Sequence, residues 1–402
     1  MPNTATLSLT RQAIFDRNVK VCGYELLYRS GEADGAADGA APVLSLTDEL
    51  SDLGIDSIVG DVPVWVDLGD TVFTHDLSEA FSPARTVVQI LEATTADAGV
   101  RDGVARLRAG GYRVALDDSA LRPGLMPLTG LADVVRIDAL AHDDEELARR
   151  VAELRAEGVE SLALNVGTHE ELNRCRELGF AFFQGVFLCQ PRDLDDSRIG
   201  SDATVRMQLA VRLNDSEADF DQLAALIAAD VTLSYRLLKY LNSAYVGLRR
   251  PVGSMREALV LLGSRQIRNW ATSLLVTDAG TDRHELVVNA FVRARMCESL
   301  ATSTSRDANR AFLAGLLSVV DALTDRPLVE AIDELPIDEE LKDAVIVRDG
   351  PLGDLIARVV AHEVGDFATA AADPLDAGTT TRAYVEAIDW AMRTIDVSAA
   401  AA

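Results

Sequence analysis

The stretch "LSLTRQAIFDRNVKVCGYELLYRS", residues 7–30, holds two apolar runs separated by little more than "DRN" at Asp16–Asn18. So short a link suits an antiparallel hairpin, because parallel strands need a crossover of about a dozen residues or more. The runs that follow behave differently. "VPVWVDL", "TVVQIL", "YRVALDD", "VVRID", "LALNV" and "FAFFQGVF" have amphipathic stretches among them, at 97–109, 143–157 and 169–178. In "EELARRVAELRAEG", Leu147, Val151 and Leu154 recur at spacings of four and three, and Gly158 ends the pattern as a helix stop. Strand–helix alternation predicts a parallel sheet, and eight strands with intervening helices close into a barrel. The opening hairpin is the exception to that repeat.

From about residue 200 the strand signals stop. "DFDQLAALIAADVTLSYRLLKYLNSAY" and "SMREALVLLGSRQIRNWATSLLV" are helical patterns, with Asp230 and Ser254 as N-caps. Segments 285–301, 309–323, 337–347, 353–364 and 380–394 continue the all-helical reading. The boundary falls at "PRDLDDSRIGSD", which divides the chain into 1–198 and 199–402. Residues 31–42, "GEADGAADGAAP", read as a low-complexity loop, and the tail "SAAAA" as a frayed end.

Composition narrows the function classes. A chain of 402 residues with 48% hydrophobic and 25% charged residues is an ordinary globular composition. The start "MPNTATLSLTRQ" lacks a basic leader and an apolar core segment, and no apolar run of about eighteen residues occurs. A cytoplasmic location with no membrane span is the expectation. Cys22, Cys175, Cys189 and Cys297 are scattered, which suits free thiols. A net charge of -26 with only three lysines opposes binding to nucleic acid, which rewards clustered cations.

In a parallel barrel the functional groups stand at the C-terminal ends of strands. There the chain has Glu25, Asp67, Glu92, Asp117 and Asp118, together with Arg136, Asp138, Gln184 and Gly185. Converging carboxylates are costly unless a cation neutralises them, as at a magnesium or calcium site. The simpler alternative is that each one caps a loop.

The order and spacing of these segments resemble the EAL family, barrel phosphodiesterases that open cyclic di-GMP with two divalent metals. "GYELLYR" is similar to the signature segment, with Leu26 in place of its alanine. "RQAIFD" resembles the opening strand, "ALDD" the paired aspartates, "VRID" the lysine strand and "GFAFFQG" the final strand. The resemblance covers about half of the chain and implies a shortened TIM-like barrel. It implies metal-ligand positions at Glu25 and Asp117, with Asp118 beside them, and puts Asp67 where a ligating asparagine is usual. Glu92 matches a glutamate associated with a nearby loop. Gln12, Arg29 and Gln184 match positions near the bound nucleotide.

Three positions depart from the family pattern. Gln89 replaces a glutamate ligand and removes a charge, although it still offers an oxygen. Arg136 replaces the catalytic lysine with a planar cation that does not release a proton. Leu164 replaces the general base, a loss that costs about 10²–10⁴ in rate, and Gly167 follows where a second glutamate is usual. These departures predict a vestigial site and a chain that is not an enzyme. No cofactor would be required, and Mg²⁺ or Mn²⁺ would bind, if at all, at Glu25, Asp67, Asp117 and Asp118.

Residues 219–276 resemble the HDOD domain, a helical relative of the HD and HD-GYP phosphohydrolases. Those enzymes hold metals through histidines and an adjacent His-Asp pair. Here the only such pairs, His75–Asp76 and His142–Asp143, fall in the barrel half, while His284 and His362 read as ordinary helical residues. Tyr245, Arg249, Arg250 and Trp270 are candidate anchors for a protein contact. The expected whole is a non-catalytic bacterial signalling protein, a cyclic di-GMP sensor or scaffold acting on partner proteins, with room for a homo-oligomer. A weak metal-dependent cyclic di-GMP phosphodiesterase and a nucleotide-independent adaptor are the alternatives.

Overall fold

A computed structural model of the chain describes residues 7–30, 54–67, 81–90, 98–118, 130–192, 259, 260, 262, 263, 267 and 283–401, the last range without 305, 334, 336, 373 and 374. Among these residues, eight strands close into a barrel in chain order. Strands β1 (Leu7–Phe15) and β2 (Val21–Ser30) form the expected hairpin. The Asp16 carboxylate fixes its turn by accepting hydrogen bonds from the backbone N–H groups of Asn18 at 2.8 Å and Lys20 at 2.9 Å. Val19 is held there at φ 59°, a region that a β-branched residue occupies only when its surroundings impose it.

The remaining strands run parallel to β2. They are β3 (Val64–Asp67), β4 (Thr86–Ile90), β5 (Arg113–Asp117), β6 (Val134–Asp138), β7 (Glu160–Leu164) and β8 (Phe182–Gln184). β1 closes the ring by pairing antiparallel with both β2 and β8. Before β3 lies the short helix α1 (Ile55–Val59), followed along the chain by α2 (Ala98–Ala109), α3 (Asp144–Ala156) and α4 (His169–Leu178). Helix α3 begins at an Asp143 cap that accepts from Glu146 N–H at 2.9 Å. Helix α4 has a capping box between Thr168 and Glu171 and stops at Gly179, φ 97°.

The sequence places a strand at 162–166, but pairing ends at Leu164. Asn165 turns at φ 59°, and Val166 N–H donates to Gln184 O at 3.1 Å. That crossing is possible because Gly185 has no side chain: a Cβ there would lie 2.0 Å from Val166 O.

Alternate residues face the barrel interior. The lower interior layer is apolar: Ile14, Trp65, Val87, Ala115, Val134 and Leu162 are buried together, with Phe182 packed against them. Trp65 is only 2% exposed and fits because Gly23 is opposite; a Cβ on Gly23 would sit 2.6 Å from the indole Nε1.

The chain divides into two compact units, Met1–Leu188 with Ala361–Thr381 and Cys189–Val360 with Arg382–Ala402. In the first, His362 Nε2 donates to Leu9 O at 2.9 Å, and Leu9 N–H donates to Thr381 Oγ1 at 3.4 Å. His362 is therefore a core residue at 1% exposure, unlike the ordinary helical position read from sequence. Burial pushes its imidazole down to about 4, against the opposing effect of the Leu9 carbonyl.

Among the described residues beyond 283 the regular elements are helical: α5 (His284–Ser303), α6 (Ala308–Leu317), α7 (Val320–Thr324), α8 (Leu328–Asp333), α9 (Glu339–Ile346), α10 (Gly350–Glu363), α11 (Phe367–Ala370) and α12 (Ala377–Ala401). The stretch 309–323, one helix by sequence, breaks into α6 and α7 at Ser318. That hydroxyl donates to Gly315 O at 2.7 Å and accepts from Arg293 at 3.0 Å. Residues 398–401 of the "SAAAA" tail continue α12, where the sequence predicts fraying, and Ala402 lies outside the described residues. In the second unit, Trp390 packs tilted against Phe291 and edge-on against Phe312, at centroid distances of 5.7 and 6.1 Å. His284 is exposed at the start of α5. All four cysteines are free thiols. Among the described residues no helix is long and apolar enough to cross a membrane. Glu92, His75, Asp76, Asp230, Tyr245, Arg249, Arg250, Ser254 and Trp270 lie outside the described residues.

Candidate functional site

Strand alternation puts a second inward layer above the apolar one, towards the C-terminal ends of the parallel strands. Counting two residues on from the lower layer reaches Glu25 on β2, Asp67 on β3, Gln89 on β4 and Asp117 on β5. The same step reaches Arg136 on β6, Leu164 on β7 and Gln184 on β8, and Gln12 on the reversed β1. Ladder pairing sets Gln12 opposite Glu25, Asp67 opposite Gln89 and Asp117 opposite Arg136. Eight positions singled out from sequence thus share one face of one ring.

The charged centre of that layer is a cross-barrel contact. Arg136 Nη2 lies 3.0 Å from Glu25 Oε1 and 3.3 Å from Oε2. Gln184 Nε2 donates to Glu25 Oε2 at 2.5 Å and reaches Gln12 Oε1 at 3.3 Å. Glu25, Arg136 and Gln184 are all buried. Burying two charges is costly, and it is sustained here because each oxygen of the carboxylate has a donor. Leu164 packs on the apolar layer beneath and provides no proton acceptor.

Other groups of the layer are less well satisfied. Gln89 is 1% exposed, and neither its amide nitrogen nor its oxygen has a partner among the described residues. Arg136 Nε and Nη1 are in the same condition. Native proteins leave few such groups, and an unmet one usually marks a place for water, an ion or a ligand.

Two sequence candidates stand apart from the layer. Asp118, one residue beyond β5, pairs with His142 Nε2 at 3.1 Å and Arg150 Nη1 at 3.4 Å. The His142–Asp143 pair is thereby split, with His142 bound to Asp118 and Asp143 capping α3. Arg29 is exposed near the far end of β2. Tyr28 was not singled out by sequence, since it reads as one more apolar-run aromatic. Its hydroxyl donates to Asp67 O at 2.6 Å and fixes the end of β3, and burial raises its phenol well above the usual range.

The donor chemistry fits a divalent ion in part. Asp67, Gln89 and Asp117 offer oxygens from three consecutive strands, and the unpartnered Gln89 carboxamide suits a hard cation. Glu25 fits only if Arg136 withdraws. Among the described residues no three His, Cys, Asp or Glu are grouped closely enough to hold a metal by themselves.

The chain is similar to several known proteins. Residues 199–324 match the model of the HDOD domain. The chain is 29% identical over 372 residues to the cyclic di-GMP phosphodiesterase CdgJ of Vibrio cholerae, covering 90% of this chain and 86% of that protein. It is 28% identical over 403 residues to Bacillus subtilis YuxH, covering 96% and 98% of the two chains. A solved calcium and cyclic di-GMP complex of Klebsiella pneumoniae BlrP1 is similar at 22% identity and a TM-score of 0.38, over 45% of this chain and 54% of that one. An EAL domain protein of Listeria monocytogenes gives 17% identity and a TM-score of 0.36, over 45% and 87%.

One expectation needs correction. The sequence departures predict a chain that is not an enzyme, yet a relative aligned along 90% of this chain is a named phosphodiesterase, which points to an enzyme. The physical error lies in the weight given to single groups. A missing general base removes about 10²–10⁴ in rate, whereas enzymes accelerate reactions by about 10⁶–10¹⁷. The expectation that no cofactor is required rested on the same reasoning and is withdrawn with it. With residues 199–324 matching the HDOD domain and a closed eight-stranded ring ahead of them, the chain is similar in both halves to a fusion of an EAL-like barrel with an HDOD domain.

Proposed function

We propose that the protein is a cyclic di-GMP phosphodiesterase acting at the inward polar layer of its barrel. The observation that carries this reading is the similarity to CdgJ, which spans 90% of this chain and so includes both halves. The composition of the layer supports it: carboxylates, carboxamides and a guanidinium at the C-terminal strand ends are the groups a phosphodiester and a divalent ion require.

In this reading Asp67, Gln89 and Asp117 would hold a divalent ion such as Mg²⁺ or Mn²⁺, and Glu25 would join them once released by Arg136. Such an ion, when bound, neutralises the phosphodiester and lowers the pKa of bound water. Arg136 takes a phosphate oxygen through its unpartnered N–H groups, and a guanidinium suits that oxygen better than a lysine ammonium where two contacts are made. Gln12 and Gln184 orient Glu25 and the ligand, while Trp65 and the apolar layer below close the floor to water.

We assign the barrel to residues 1–198, with 361–381 belonging to the same compact unit, and the helical domain to the rest of 199–402, the latter carrying regulation or partner contact. The test is to incubate the full chain with cyclic di-GMP and Mg²⁺ or Mn²⁺ and to resolve the products by chromatography. Linear dinucleotide that disappears in Asp117→Asn supports the assignment. Absence of product with both metals at saturating substrate overturns it.

A further inference from the structure

The carboxylate best placed to anchor a cation in the barrel is already occupied by one. Arg136 crosses from β6 to β2, on the other side of the ring, and its guanidinium sits 3.0 Å from Glu25. Gln184 covers the second oxygen at 2.5 Å. A divalent ion cannot share that buried carboxylate with a guanidinium without strong like-charge repulsion in a medium of low dielectric. Arg136 is nevertheless not fully engaged. Its Nε and Nη1 are buried with no partner among the described residues, and Gln89 in the same layer has neither carboxamide atom satisfied. The two kinds of unmet group are complementary to two kinds of ligand. Guanidinium N–H groups seek anionic oxygens, and a carboxamide oxygen accepts a cation.

We propose that Arg136 is a gate on cation binding. In the ligand-free protein it neutralises Glu25. The phosphate oxygens of an incoming diester draw it off, which releases Glu25 to complete a divalent-ion site with Asp67, Gln89 and Asp117. Phosphodiester and metal then raise each other's affinity by the same factor, as linkage requires. The identity of the diester rests on the phosphodiesterase reading above, whereas the competition between Arg136 and metal for Glu25 does not.

The test is a Mn²⁺ titration of the full chain followed by electron paramagnetic resonance of the free ion, with and without a phosphorothioate analogue of cyclic di-GMP. Wild type is expected to bind Mn²⁺ weakly alone and on the order of tenfold more tightly with the analogue. Arg136→Met should gain on the order of tenfold without analogue, and the further gain with it should be smaller than in wild type. Combining it with Glu25→Gln should return the affinity to the wild-type level. Arg136→Lys, which keeps the charge, serves as a second variant and should remain weak without analogue. Circular dichroism melts establish that each variant is folded. Equal Mn²⁺ affinity in wild type and folded Arg136→Met overturns the gate, as does wild-type affinity that ignores the analogue. A gain in Arg136→Met with no linear product from wild type would leave the gate standing and remove the phosphodiesterase reading instead.

Discussion

Arg136 and Glu25, 111 residues apart in the chain, meet at 3.0 Å inside the barrel with both side chains buried. A buried pair of this kind adds little net stability over an apolar pair of the same volume, but loss of one partner strands the other. Arg136→Met is therefore expected to lower unfolding stability by about 3–5 kcal/mol. Adding Glu25→Gln should recover most of that loss. Urea unfolding of the two single variants and the double variant measures the coupling, and strictly additive losses would contradict it.

Gly23 is the counterpart of Trp65 in the apolar floor. A methyl group at 23 would approach the indole Nε1 to 2.6 Å and its Cδ1 to 2.9 Å. Gly23→Ala should cost about 1–3 kcal/mol through overpacking. Thermal melts read the loss, and Trp65→Phe, which vacates that space, should reduce the penalty of the glycine substitution.

His362 gives the barrel unit an acid-sensitive element. Its imidazole is pushed down to about 4 from its usual 6.5 by burial. Between those values the unfolded chain binds a proton that the folded chain refuses. Stability from this group is therefore complete above about pH 6.5 and is lost as the pH falls towards 4. The full loss is on the order of 3 kcal/mol. His362→Gln should flatten the melting temperature between pH 6.5 and 4, and an unchanged slope would mean that other groups control it.

Gly185 lets β8 end against the chain after β7. A Cβ there would lie 2.0 Å from Val166 O, so Gly185→Ala must move Gln184 or the backbone opposite. The expected cost is about 3 kcal/mol, at the upper end for forced overpacking. Because Gln184 holds Glu25, the same variant should, on the phosphodiesterase proposal, weaken cyclic di-GMP binding in a calorimetric titration. Stability loss with unaltered affinity would separate the two effects.

Much of the barrel was legible because its signals are local. The hairpin follows from a link too short for a crossover. Helices α3 and α4 follow from apolar spacing and from Asp143, Thr168 and Gly179 at their ends. Strand parity is equally local, which is why eight candidates from Gln12 to Gln184 fall on one inward layer. The end of β7 was not legible, since "LALNV" carries no mark of the left-handed turn at Asn165. Nor was the break between α6 and α7, which depends on Ser318 meeting Arg293 from another helix.

The sequence by itself determined the order of strands and helices, the inward register and the chemical inventory of the site, because periodicity and turn chemistry act over a few residues. Which of those groups hold one another was settled only by closure of the ring. That closure set Arg136 and Gln184 on Glu25, left Gln89 without a partner among the described residues, turned Asp118 towards His142, and buried His362 against Leu9. Distances between strands on opposite sides of a barrel depend on its curvature and packing, and no local pattern in the chain encodes them.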